Sequence, residues 1–407
     1  MSGIAEAPGD DAGIVAAIRD AAAAGEPLAV SGNGGKRAML RPVRAARGLS
    51  TRNLSGIVFH SPAELVLSAR AGTPLAVIEA ALAEHGQHLI AEPPDLGRLL
   101  GAAAPPTLGG MVAANLSGPR RISGGAMRDH VLGVRAVNGE GTVIRSGGKV
   151  LKNVTGLDLC KLLAGSHGTL AVMTEITLKV LPAPEATTTL VLPGLDAAQG
   201  VAALAAALGS PFGVSGAAYL PAAAAARVPA LDPADTGAGA GVAVVRLENF
   251  APSVAYRAGR LAEALAGFGA PRQIEDDGSR ALWRAIRDAV PLPVAETDAV
   301  WRVSVRPSAA PGLVDALAAT GARWFLDWGG GLVWIAAPAE AATHRVVTAA
   351  TAAAMGAWML LRAPEALSAG IDVLPPPPAV LARLTRRVKT AFDPRGILNP
   401  GRMYAGI

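Results

Sequence analysis

Glycine placement is the feature that most restricts what this chain can fold into. Of 407 residues, 48 are glycine, well above the usual share of about 7%. The excess concentrates at 32–35, 109–110, 118–125, through 133–168 and in the tail. A residue without a Cβ is needed where backbone turns left-handed or comes close to another group. The chain is 51% hydrophobic and 17% charged, so wholesale disorder is excluded. The glycines therefore belong to turns and close approaches within a folded protein.

Length alone suggests two or three domains, at about 150 residues each. The single cysteine, Cys160, rules out an intrachain disulfide framework and any cysteine-only metal cage. It lies in the apolar run Leu157–Leu163 and reads as core. Thirty-seven Lys and Arg stand against 32 Asp and Glu, a net charge of +5 with the arginines scattered. That is a slightly basic surface rather than a polyanion track, and with 4% aromatic residues stacking platforms for nucleic acid are scarce. The first residues carry acids and no basic cluster before an apolar run, unlike a signal peptide. The longest apolar stretch, Thr351–Leu361, is too short to span a bilayer. A cytoplasmic location is expected, with any attachment to the inner membrane made through partner subunits.

Periodicity predicts a helix over Asp11–Ala24 stopped by Gly25, strands at Leu28–Val30, Ile57–His60 and Leu65–Ala69, and a helix over Leu75–His85. Ser61 and Glu64 have capping-box spacing. Short β-like runs follow at Val134–Val137, Thr142–Ile144 and Leu170–Val180. After Pro182-Ala183-Pro184 the chain becomes alanine-rich, with strands at Ala186–Leu192, Val242–Leu247, Trp301–Val305 and Val333–Ala336. These alternate with helices at Ala197–Leu208, Ala255–Phe268 and Gly312–Thr320, fitting a second α+β domain built on an antiparallel sheet. Pro375–Pro378 precedes a basic helix, Ala379–Phe392.

Three loops invite a ligand. Ser31-Gly32-Asn33-Gly34-Gly35-Lys36-Arg37 combines permissive backbone with two cations, which suits an anion. It matches neither common nucleotide fingerprint: Arg37 stands where a third Rossmann glycine belongs, and Gly35-Lys36 lacks the P-loop hydroxyl. Thr107-Leu108-Gly109-Gly110-Met111, running to Asn115, and Gly165-Ser166-His167-Gly168-Thr169-Leu170 are the others. Each alone is a plain turn; together they suggest a long phosphate-bearing cofactor threaded across several loops.

These loops, together with Ser117-Gly118-Pro119-Arg120-Arg121, Gly124, Arg128-Asp129, Gly133-Val134, Lys152–Asp158 and Thr174-Glu175, resemble the vanillyl-alcohol-oxidase (PCMH-type) FAD-binding domain. The tail Phe392-Asp393-Pro394-Arg395-Gly396-Ile397-Leu398-Asn399-Pro400-Gly401-Arg402-Met403 is similar to the closing signature of the same FAD-linked oxidases. More narrowly, the combination resembles the FAD-binding E-subunit family of bacterial glycolate oxidase over nearly the whole chain.

The resemblance implies an α+β fold: a two-subdomain FAD-binding domain at 1–182, a cap domain at 183–365, and a segment 366–407 that packs back on the FAD domain. It implies that Ser31, Gly32, Asn33, Gly34, Gly35 and Lys36, with Thr107, Leu108, Gly109, Gly110 and Met111, embrace the FAD pyrophosphate. Asn115, Arg121, Gly124, Gly125, Arg128, Asp129 and Val131 are expected at the cofactor, as are Gly165, Ser166, Gly168, Thr169, Leu170 and Val172. Asn399 returns from the tail. The first loop holds no histidine, so the FAD is expected to be non-covalent. Among the six histidines only His344 lies in the second domain; it reads as a surface residue, and no metal site is expected. Arg120, Arg121 and Arg128 read as neighbours of the cofactor's charge or as a carboxylate clamp. His130 and His167 read as positioning residues, with no catalytic residue assigned. Trp324, Trp328, Trp334 and Trp358 read as core or as a partner surface.

The implied function is the FAD subunit of a heteromeric glycolate oxidase, beside a larger FAD-containing catalytic subunit and an iron–sulfur subunit, in a relay or assembly role. Its rivals are a stand-alone FAD-dependent 2-hydroxy-acid dehydrogenase and a scaffold that has lost its flavin.

Overall fold

The computed structural model describes residues 5–148, 157–235 and 240–407. The Lys152–Gly156 part of the resemblance lies outside the described residues. Backbone contacts divide the chain into two compact units. The first takes Met1–Ser117, Gly125–Ala183 and Asp372–Ile407; the second takes Gly118–Gly124 and Pro184–Ile371.

In the first unit, Asp10 caps the helix Asp11–Ala24 by accepting from the Gly13 amide at 2.8 Å, and Gly25 ends it at φ 69°. Ile14, Ile18 and Ala21 on one face of this helix pack with Leu28, Leu49, Val137 and Val172. The strand Leu28–Ser31 pairs parallel with Arg47–Ser50. A five-stranded antiparallel sheet runs in the order Ile57–Ser61, Val66–Arg70, Ala171–Lys179, Val131–Asn138, Val143–Gly147. Leu75–Ala83 forms a helix that buries Leu75, Ile78 and Leu82, as their spacing predicts. The Ser61–Glu64 capping box does not form: Pro62–Glu64 is a 3₁₀ turn, and the Ser61 hydroxyl makes no cap bond. With Leu65 at φ 56° the chain turns straight into the next strand, so there is no helix to cap.

The tail belongs to this unit. Its helix Ala379–Phe392 follows Pro378, a residue suited to a helix start. Lys389 Nζ, buried at the other end, donates to Asp393 Oδ2 (2.6 Å), Thr169 O (2.7 Å) and Leu398 O (2.9 Å). Asp393 accepts in turn from the Ile397 and Leu398 amides. This knot sets the direction of the last stretch, where Leu28 N donates to Ile397 O and Asn399 N donates to Leu28 O.

The second unit is an eight-stranded antiparallel sheet. Its order is Arg272–Glu275, Ala186–Leu195, Gly241–Asn249, Val214–Leu220, Arg323–Asp327, Leu332–Pro338, Asp298–Ser304, Ala357–Arg362. An antiparallel cap sheet is the expected architecture, and four strands and the helices Asp276–Arg287 and Ala341–Ala353 complete it beyond the elements read from sequence. His344 corrects the surface reading. It is buried, its Nδ1 accepts from Trp301 Nε1 at 3.2 Å, and its ring meets Trp358 edge-on at 5.0 Å. An imidazole that accepts an indole N–H can be buried without an unpaired polar atom there, which a count of charged partners does not reveal. Trp334 stacks on Phe325 and Trp324 on Tyr219 within this unit.

Candidate functional site

A cavity of about 290 Å³ opens in the first unit over the end of the strand Leu28–Ser31. Its floor is the loop Gly32–Arg37, pinned from both sides: Ser50 Oγ donates to Gly32 O at 2.8 Å, and Asn33 Nδ2 donates to Pro105 O at 3.0 Å. Arg37 N closes a turn on Gly34 O, with Gly34 at φ 81°. Among the described residues, the amides of Asn33, Gly34, Gly35 and Lys36 donate to no backbone or side-chain acceptor. The Ser31 hydroxyl is buried without a partner. Such a run of unpaired donors is costly unless a ligand takes them up.

Glycine is required here by contact. A Cβ on Gly32 would overlap Thr107 Oγ1, and one on Gly35 would sit 3.1 Å from Ala104 O. Thr107 begins the short helix Leu108–Ala114 and accepts from Gly110 N. Gly109 N donates to Ala71 O at 2.7 Å, holding the helix so close to the sheet that a Cβ would lie 2.8 Å from the Ala71 methyl. On the far wall His167 is held at φ 51° and Gly168 at φ 71°. Asn399 joins the walls: its Oδ1 accepts from Val30 N at 2.8 Å, and its Nδ2 donates to His167 O at 2.8 Å and Val30 O at 3.2 Å.

The lining includes Lys36, Arg37 and Arg402 and no carboxylate. Burial pulls the Lys36 ammonium down to about 8, with Asp95 opposing, and pulls Arg402 to about 10. His167 is pushed down to about 3, first by burial and then by the charges of Arg402 and Lys36, so its imidazole is neutral at working pH. Arg402 also donates to the carbonyls of Lys36 and Arg37, bracing the loop from the tail. Cations without a carboxylate in the lining suit the cavity to an anion.

Of the residues expected at the cofactor, Ser31, Gly32, Asn33, Gly34, Gly35, Lys36, Thr107, Gly109, Gly110, Gly168, Val172 and Asn399 line this cavity. Leu108 and Met111 face the core behind it. Gly165, Ser166, Thr169 and Leu170 line a second cavity, also about 290 Å³, with Leu384, Lys389 and Tyr404. Their polar groups serve the turn: Ser166 Oγ donates to Leu163 O and Thr169 Oγ1 to Ser166 O. Asn115 Oδ1 accepts from Arg128 N at 3.0 Å, and Asp129 Oδ2 from Ala126 N at 2.8 Å. Gly125 turns at φ 88°, Val131 is buried, and the Arg128 side chain is half exposed beside Asp129. Arg121 and Gly124 fall in the second unit. Arg120 does too, where it is held by Glu248 at 2.7 and 2.9 Å. Reading by motif passes over Thr51, Pro42 and Val43, and it names His167 only as a positioning residue in the third loop; all of them line the cavity, as does Arg402. Arg402 carried a signal as a cation within the tail signature.

Residues 4–147 match the family model of the FAD binding domain, and 378–403 match the C-terminal domain of FAD linked oxidases. The glycolate oxidase subunit GlcE of Escherichia coli is 36% identical over 93% of this chain and 93% of its own length. The chain belongs to the FAD-linked oxidase family.

The D-lactate dehydrogenase of Archaeoglobus fulgidus is 40% identical over 30% of this chain and 26% of its own. Among solved structures, 4-ethylphenol oxidase from Gulosibacter chungangensis superposes with a TM-score of 0.70. It covers 100% of this chain and 91% of that one at 14% identity, a likeness of fold. The cofactor of this FAD-linked oxidoreductase is FAD, and the cavity fits it. Unpaired amides and the orphaned Ser31 hydroxyl offer donors, and Lys36 and Arg402 offer charge. No helix among the described residues is long and apolar enough to cross a membrane.

Proposed function

We propose that the chain is the FAD-binding subunit of a heteromeric glycolate oxidase. The observation that carries this reading is the identity to GlcE over nearly the full length of both chains. Bound FAD would supply a two-electron carrier for a complex that oxidises glycolate to glyoxylate. The residues that would hold it are the loop Ser31–Lys36, Thr107, Gly110, Gly168, Asn399 and Arg402: backbone donors and two cations for the pyrophosphate, with Asn399 keeping the tail against the site. The flavin is non-covalent in this reading, because the loop holds no histidine and Cys160 is buried, its thiol pushed up chiefly by burial. A larger flavin subunit performs the hydride step and an iron–sulfur subunit carries electrons away, with this chain in a relay or assembly role. That division is supported by the six histidines of the sequence: His344 in the second unit is spent on Trp301.

The test is purification of the full chain from its native host. A yellow protein whose flavin is released by acid precipitation, accompanied by two further subunits, is the expected result. Gly32→Val should come out colourless, because its Cβ would collide with Thr107 Oγ1 and push the loop out of place. A colourless wild-type protein, or one that elutes alone, overturns the corresponding part of the reading.

A further inference from the structure

The tail helix Ala379–Phe392 packs on the first unit with little of its own surface. Lys389 is its one buried residue, while Val380, Leu381 and Leu384 are 65%, 52% and 53% exposed. Val380, Leu384 and Val388 recur every fourth residue with Leu381 alongside, so they share one shoulder of the helix. Leu384 and Val388 also border the second cavity, as do Leu162 and Leu170, and Leu162 is itself part-exposed. Single exposed apolar side chains are ordinary, but a ridge of them that leads into a recess marks an interaction site.

The recess, of about 290 Å³, suits an apolar group. Ser166 Oγ donates to Leu163 O, Thr169 Oγ1 donates to Ser166 O, and Lys389 Nζ serves three acceptors. These polar side chains have no proton left for a small polar ligand. The rim carries an excess of one charge. Arg383, Arg386 and Arg387 are exposed, and none enters an ion pair among the described residues. The helix contains no acid, and Asp393 just beyond it is buried on Lys389. Lys161, next to Leu162, is balanced by Asp158 at 3.4 Å. An occupant must therefore bring apolar side chains to the shoulder and carboxylates to the arginines. A bilayer surface would meet the ridge and the charges but leave the recess empty. A helix laid along the groove sends a side chain into it.

We propose that the shoulder formed by Val380, Leu381, Leu384 and Val388, with the cavity beside it, docks an acidic amphipathic helix of another subunit. One apolar side chain of that helix sits in the cavity, and its Asp or Glu residues face Arg383 and Arg387. Assigning the helix to a subunit of the oxidase rests on the function proposed above.

The experiment uses the full tagged chain expressed in its native host and purified with its accompanying subunits. Leu384→Glu should weaken their retention by about tenfold or more, the scale of a lost interface anchor, with flavin content unchanged. Arg383→Glu combined with Arg387→Glu should do the same through the rim charges, and serves should the first variant not fold. Val77→Glu, exposed elsewhere on the same unit, should retain the subunits. With a photoreactive benzoylphenylalanine in place of Leu381, the cross-link should map to a partner segment with apolar residues at helical spacing and acids beside them. Wild-type retention in both groove variants overturns the docking site and leaves the subunit reading standing. A cross-link to a second copy of this chain, or to a segment without acids, also overturns it. So does wild-type sedimentation with phosphatidylglycerol vesicles that Leu384→Glu abolishes while keeping the subunits. A wild-type chain that elutes alone sinks both readings.

Discussion

Lys36 and His167 show how one small volume sets the charge state of its residues. Both sit at the cavity, and burial disfavours the protonated form of each, to about 8 for Lys36 and about 3 for His167. A phosphate beside Lys36 reverses that penalty, so binding takes up a proton wherever the free ammonium would have lost it. The affinity of the apoprotein for FAD should therefore hold steady below pH about 8 and fall above it. In Lys36→Met it should be weaker and lose this slope. Flavin titrations on both sides of that pH decide the matter; a flat wild-type profile would show that Lys36 does not meet the cofactor's charge. The loop's cations and glycines are visible in the sequence because they are contiguous. Arg402 and His167 come from distant positions, and only folding brings them to the same wall.

Helices delimited by strong local signals are legible from sequence at their full extent. Asp11–Ala24 has Asp10 before it and Gly25 after it, Ala197–Leu208 has the Asp196 and Gln199 capping box, and Ala379–Phe392 begins after Pro378. The helix Asp276–Arg287 also carries a signal, acids in its first turn and arginines in its last, within a stretch the periodicity argument passes over. The strands Arg323–Asp327 and Ala357–Arg362 are less visible. Their neighbours on the sheet, and not their own alternation, decide which side of each is buried. At the C-terminal end of Ala379–Phe392 the knot of Lys389 and Asp393 is buried. Replacing Asp393 with Asn leaves a buried ammonium without its counter-charge, at a cost of about 3–5 kcal/mol. Denaturant unfolding of Asp393→Asn should show a loss of that order, together with weaker flavin retention because Asn399 follows directly on the knot. Unchanged stability would mean that the Thr169 and Leu398 carbonyls satisfy Lys389 alone.

At the scale of the whole molecule, two compact units need not melt together, and each has its own lever. In the second unit, Glu248 is held down to about 2 against an ordinary 4.5: burial opposes this, and the adjoining Arg246 and Arg120 outweigh it. A depressed carboxylate contributes its full stability above its unfolded value, and that contribution is lost as pH falls through the folded one. The second unit should lose stability between pH 4.5 and about 2. Glu248→Gln should begin less stable and vary less across that window. In the first unit, a ligand that binds only the folded state raises the transition by mass action. Added FAD should therefore raise one calorimetric transition and leave the acid-sensitive one in place; a shift of both together would show the units unfolding as one.

By itself, the sequence determined the α+β class, the antiparallel second sheet, the capped helices and a Gly-rich anion loop followed by others of the same kind. All of these depend on residues close in the chain, where capping, turn chemistry and periodicity act. Tertiary structure alone decided which loops share a cavity. It placed Gly165, Ser166 and Thr169 around a second cavity, gave Arg120 to Glu248, buried His344 against Trp301 and set the Arg302 guanidinium against two indoles. Those outcomes rest on pairings between residues far apart in sequence. The partner that satisfies or fails to satisfy a buried charge is set by sheet order and packing, and no local pattern encodes it.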